Sequence, residues 1–81
     1  MEKRLAIIGI IINNREQSAQ TVNNILASYG EMIVGRLGIP YKEKNVSVIT
    51  VIADATNDEL DALSGKLENI PGVKAKVMIT S

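Results

Sequence analysis

The residues that could do chemistry in this chain are a short set: carboxylates, hydroxyls, amides and cations, with no histidine and no cysteine among 81 residues. That removes the commonest general base and transition-metal ligand, and it excludes thiolate nucleophiles, iron–sulfur ligation and disulfides. Catalysis needs a group that titrates near working pH or a nucleophile beside its base, and no such pair is evident. The carboxylates Glu16, Asp54, Asp58, Glu59 and Asp61 fall mostly in the first turns of expected helices, where they offset the helix dipole. Asp58, Glu59 and Asp61 would supply too loose an oxygen set for magnesium or calcium. No catalytic residue, metal site or cofactor is assigned, and the protein is expected not to be an enzyme.

Two clusters remain. Asn13, Asn14 and Arg15 form a polar turn in which helix amide groups and a guanidinium could hold a carboxylate or phosphate, making it the candidate site for a small anionic ligand. Helix capping alone would also account for the asparagines. No glycine-rich phosphate loop accompanies them, which disfavours the familiar modes of nucleotide binding. The second cluster is Arg36, Gly38, Ile39, Pro40 and Tyr41, on a weak strand where glycines permit a bulge or the close approach of another chain. It is either an oligomer or partner interface, or simply a weak strand running into a turn.

The elements that must position these residues follow from the hydrophobic pattern. Leu5 to Ile12 and Val46 to Ala53 are apolar or small at nearly every position, as expected of strands covered on both faces. Asn13 and Asn14, each with Glu16 or Gln17 three residues behind, predict a helix starting near Arg15. Its apolar stripe is Ala19, Val22, Ile25, Leu26 and Tyr29, and Gly30 is expected to end it in the left-handed conformation. Glu31 to Ile39 reads as an edge strand, and Pro40 with Tyr41 to Lys44 makes a hairpin connection. Thr56 and Glu59 form a second capping box before the stripe Leu60, Leu63, Leu67 and Ile70. Gly65 lies inside that helix, where it is expected to let another backbone approach. Pro71 and Gly72 stop the helix, and Val73 to Thr80 alternates as a second edge strand.

The order is therefore strand, helix, strand, strand, helix, strand, the α+β ferredoxin-like βαββαβ plan, with a four-stranded antiparallel sheet and two helices on one face. Right-handed crossovers put the two apolar runs at the centre. Residues 1–81 are expected to make a single domain. Two helices can cover one face only, so the other needs a cover, most simply a second copy, and a homodimer or homotetramer is expected. Because the central runs are apolar in both phases, which side chains meet the helices stays open.

Nine basic and nine acidic residues cancel, so no net field favours nucleic acid or an anionic membrane. Tyr29 and Tyr41 are too few for a base-stacking RNA surface. Neither apolar run approaches the roughly 20 residues of a membrane-spanning helix. No small-residue cleavage site follows the first run. A soluble, cytoplasmic protein is expected.

The segment Asn57-Asp58-Glu59-Leu60-Asp61-Ala62-Leu63-Ser64-Gly65-Lys66-Leu67, followed by Ile70, Gly72 and Val73, resembles the family called putative iron-only hydrogenase system regulators. The start Met1-Glu2-Lys3-Arg4 and the residues Arg36, Gly38 and Pro40 share the likeness, which spans nearly the whole chain. The resemblance implies an ACT-like βαββαβ fold, related in shape to the regulatory domain of nickel-responsive repressors, and a regulatory domain without a DNA-reading segment. Histidine and cysteine nickel ligands have no counterpart here. Typical ACT domains carry a glycine after the first strand, where this chain reads Asn13-Asn14-Arg15-Glu16. The expected function is a homo-oligomeric regulatory or ligand-sensing domain. The alternatives are an adaptor using its edge strand, or a small dimeric ferredoxin-like enzyme with Ser47, Thr50 and Tyr29 as its few polar donors.

Overall fold

The computed structural model describes residues 2–13 and 16–80. Its elements are β1 (Arg4–Asn13), α1 (Glu16–Ser28), β2 (Ile33–Tyr41), β3 (Val46–Ala55), α2 (Asn57–Glu68) and β4 (Val73–Ile79). The strands form one antiparallel sheet in the order β2-β3-β1-β4, so the two long apolar runs are its central strands, as expected.

The register settles the phase that the aliphatic runs leave open. Ala6, Ile8, Ile10 and Ile12 of β1, Ile49, Val51, Ala53 and Ala55 of β3, and Val73 and Ala75 of β4 point to the helices. They are buried with Val22 and Leu26 of α1 and Leu60, Leu63 and Leu67 of α2 in one cluster. The expected stripes on both helices are thus the packed ones, with Ile25 and Tyr29 half-buried at the margin.

α2 begins as its sequence prescribes. The Glu59 amide donates to the Thr56 hydroxyl oxygen (3.2 Å), and the Thr56 amide donates to the Glu59 carboxylate (2.9 Å). At the start of α1, Asn14 and Arg15 lie outside the described residues.

Three local expectations are corrected. α1 does not end on a left-handed Gly30; among the described glycines only Gly72 has a positive φ. The chain instead tightens, with the Tyr29 amide donating to the Leu26 carbonyl, into a 3₁₀ turn over Gly30–Met32. Glu31 therefore precedes β2, and the strand runs on through Pro40 to Tyr41, possible because β2 is an edge and Pro40 needs no ladder partner on its outer side. The β2–β3 connection closes with Asn45 in the left-handed conformation, at φ 56°.

The third correction concerns Gly65. It is exposed, and apart from its own helical turn no atom lies within 4 Å of where its Cβ would sit, so no other backbone packs against it. Its cost in helix propensity is then uncompensated by packing, and Gly65→Ala should stabilise the protein by about 0.5–1 kcal/mol. Urea unfolding checks this; an unchanged or lower midpoint would contradict the open position.

Candidate functional site

Three surfaces hold the residues with functional potential: the sheet face away from the helices, a polar cleft at one end of the helix layer, and the region around Asn13 and Arg36.

On the open face, alternate residues of the central strands project opposite to the core. β1 supplies Leu5, Ile7, Gly9 and Ile11, β3 supplies Val48, Thr50 and Ile52, and the two are paired in register, Ile11 with Val48, Gly9 with Thr50, Ile7 with Ile52. β2 adds Leu37 beside Thr50 and Ile39 beside Val48. β4 adds Lys74 beside Ile11, Lys76 beside Gly9 and Met78 beside Ile7. Leu37 is 62 % exposed and Met78 57 %, and Ile11, Ile39 and Ile52 are also exposed. This is an aliphatic surface with one low row, Lys76–Gly9–Thr50–Leu37, where nothing lies within 4 Å of an added Gly9 Cβ. Its strand charges are Lys74 and Lys76 along the β4 edge and Asp54 toward the end of β3.

The polar cleft, of about 600 Å³, lies where the end of α1, the end of β3 and the start of α2 meet. Lys3, Glu31, Asp54 and Glu59 line it with Tyr29. Lys66 stands 5.2 Å from the Tyr29 ring centre, a cation–π contact. The cleft unites residues distant in sequence that no local motif links, so no signal in the sequence marks it. Among the described residues no group of three acidic side chains is placed to hold a metal ion.

Within this cleft the Glu59 carboxyl is held below its ordinary value of 4.5, first by the Thr56 amide and then by the Thr56 hydroxyl, with Lys3 a smaller influence. A carboxyl lowered in the folded state stabilises it above the unfolded pKa and loses that contribution as pH falls through the folded value. Wild type should therefore melt higher than Glu59→Gln at pH 7, with the gap closing as the pH is lowered through 4.5 and below. A gap independent of pH would show that the charge is not involved.

Of the ligand-site candidates, Asn13 is described and exposed at the end of β1, while Asn14 and Arg15 lie outside the described residues. The Asn13 amide donates to the Gly72 carbonyl at 2.8 Å, which ties the end of β1 to the α2–β4 turn. A depression of about 310 Å³ adjoins it, lined by Ile11, Gly72, Val73 and Lys74.

The edge-strand candidates divide between the two faces. Arg36 and Gly38 share the helix side with Val51 and Ile49, and the Arg36 guanidinium donates to the Asn23 side chain on α1 at 2.8 Å. Ile39 and Tyr41 lie on the open side, with Val48 and Val46. Pro40 pairs with Ser47 at the rim of a small groove, about 180 Å³, between α1 and β2. An irregularity between Ile33 and Gly35 leaves Val34 as the extra residue, a bulge two residues before Arg36. Ser47, Thr50 and Tyr29 fall on the helix side, the open side and the far cleft respectively, and so do not converge on one point.

Among the described residues no helix is long and apolar enough to cross a membrane. No curated protein matches the sequence. Among solved structures, the uncharacterized protein TM1266 from Thermotoga maritima shares 38 % identity, with 99 % of this chain and 100 % of that chain covered at a TM-score of 0.96. The ACT domain from the GTP pyrophosphokinase of Chlorobium tepidum is 17 % identical over 94 % of this chain and 99 % of that one, at a TM-score of 0.78. The regulatory subunit of aspartate kinase from Thermus flavus is 22 % identical over 99 % of this chain and 59 % of that one, at a TM-score of 0.58. The fold is thus that of ACT domains, as the sequence resemblance implied. A family model described as "Iron-only hydrogenase system regulator, putative" matches residues 4–77. Together with the 38 % identity along the full length of TM1266, this match shows that the chain belongs to the TM1266-like family of iron-only hydrogenase system regulators.

Proposed function

We propose that the protein is a non-enzymatic, cytoplasmic regulatory domain of an iron-only hydrogenase system, which acts as a homo-oligomer and senses a small anionic ligand. The observation that carries this reading is the family match over residues 4–77. The ACT fold is consistent with it, since the same fold occurs in a domain of GTP pyrophosphokinase and in the regulatory subunit of aspartate kinase. The aliphatic open face supports the homo-oligomer, because exposed apolar surface of that extent marks an interaction site. The ligand is assigned to the turn Asn13, Asn14 and Arg15.

A thermal-shift panel of inorganic phosphate, nucleotides and amino acids tests the sensing role. A ligand at 100 times its Kd adds about 2.7 kcal/mol of stability. For a domain of this size that raises the melting temperature by roughly 10 °C or more. Arg15→Ala should abolish the shift. A panel without any shift would remove the sensing role and leave the adaptor as the stronger reading.

That adaptor reading has its own supporting observation: β2 is an outer strand of the sheet, and Arg36 through Tyr41 along it are exposed. It requires Arg36→Glu to weaken capture of the partner.

A further inference from the structure

We infer that two copies of this chain pack face to face through the open side of the sheet, about a twofold axis running parallel to the strands, so that the β4 edge of each copy lies over the β2 edge of the other. This rests on the homo-oligomeric part of the proposed function and specifies its surface and geometry.

The size of the face is sufficient. Four strands about 4.8 Å apart and about eight residues long at 3.3 Å each make a footprint of roughly 500 Å² per copy. Two copies bury on the order of 1,000 Å², the threshold for a specific interface, before the relief of the side chains is counted. The central strands put no charge in the middle of this footprint, only aliphatic side chains and Thr50.

The direction of the axis follows from two details. In the aligned class of sheet packing the strands of the two layers stay within about 30° of each other, and an in-plane twofold axis then runs either along the strands or across them. An axis across the strands places β4 over β4 and sets Lys76 against its own copy, bringing like charges together along the rim. It also sets Gly9 against Gly9, leaving a void in the centre. An axis along the strands avoids both. Each Gly9 then lies opposite the partner's Thr50, whose side chain enters the gap, while Ile11 meets the partner's Val48. The two lysines of β4 lie over Leu37 and Ile39 of the partner subunit, where their stems cover aliphatic surface and their ammonium groups reach solvent at the rim.

The chain has no cysteine, so introduced thiols report geometry without background. Light scattering of the wild type at tens of micromolar should give twice the chain mass or a multiple of it. Ile11→Glu and Ile52→Glu, both at exposed positions, should give folded monomers by circular dichroism. Leu37→Cys mixed with Lys76→Cys should cross-link with a short bis-maleimide at least tenfold more than either variant alone. A monomeric wild type overturns the homo-oligomer reading and this inference together, whatever else then covers the face. An oligomer that survives Ile11→Glu and Ile52→Glu overturns the face-to-face contact alone and leaves the oligomer to the strand edges. Efficient self-linking of Lys76→Cys overturns the direction of the axis.

Discussion

Ile10→Ala should cost about 2–5 kcal/mol of stability, whereas Ile11→Ala, one residue along the same strand, should leave the isolated monomer within about 1 kcal/mol of wild type. Ile10 is fully buried under the helices, and Ile11 is nearly half exposed on the other face. Removing the Ile10 side chain deletes packed methylene groups and leaves a cavity, since the cluster around it is held by the sheet ladder on one side and by both helices on the other. A domain of this size has roughly 4–12 kcal/mol of stability in all, so the loss is a large part of the total. Ile11→Ala removes atoms that already touch water, and its effect belongs to association. Urea unfolding at submicromolar concentration compares the monomers, and the same series at tens of micromolar brings in the interface. Equal destabilisation by both substitutions at low concentration would mean that the phase of β1 is wrong.

This contrast shows where a residue-by-residue reading stops. The central position of Leu5–Ile12 and Val46–Ala53 follows from their unbroken apolar character, and the edge position of β4 follows from Lys74 and Lys76 alternating with Val73 and Ala75. The same uniformity that marks the central strands erases their phase: Ile10 and Ile11 are identical residues with opposite fates. Only long-range pairing resolves them, through the register of Ile10 with Ile49 and Ala75 and of Ile11 with Val48 and Lys74. Helix starts were legible because capping is local, as Thr56 and Glu59 show. Helix ends were less so. Gly30 and Gly72 both follow apolar helical stripes, but only Gly72 takes a positive φ, since Met32 is drawn into the core and pulls the chain after α1 into a 3₁₀ turn.

The candidate site was less legible than the fold, for a related reason. Arg36 looks like an unattached cation between two glycines, yet it shares a face with α1 and donates to Asn23, thirteen residues earlier. Ile39 and Tyr41, its neighbours in the same short motif, face the other way. A cluster contiguous in sequence along a strand is divided by the pleat into two surfaces. The polar cleft has the opposite history, gathering Lys3, Glu31, Asp54 and Glu59 from four separate segments.

Gly72→Ala should destabilise the protein by about 1–2 kcal/mol, the cost of forcing an L-residue into the left-handed region. The Val73 amide donates to the Ile70 carbonyl at 3.1 Å, and Gly72 has φ 78°, so Pro71 and Gly72 are the central residues of a type II turn. Two other segments, α1 and β1, hold that turn in place, and its last residue is itself buried. The Ser18 hydroxyl donates to the Pro71 carbonyl at 2.9 Å, the Asn13 amide donates to the Gly72 carbonyl, and Val73 is buried as β4 begins. The turn therefore cannot relax to a negative φ without breaking contacts to α1 and β1. The added methyl would also stand 3.3 Å from Asn13 Cβ and Nδ2; rotation of the exposed Asn13 side chain moves Nδ2 away, while the Cβ contact asks the β1 backbone at Asn13 to give by a few tenths of an ångström. Backbone strain is thus the main cost, and Gly72→Asn should lose less than Gly72→Ala, because asparagine tolerates the left-handed region better. With Gly65→Ala expected to move in the other direction, two glycines seven residues apart give opposite signs for the same substitution. Equilibrium unfolding of the three variants checks the order. A Gly72→Ala protein as stable as wild type would mean that the turn is free to change type, and that Asn13 is not anchored where the candidate ligand site requires it.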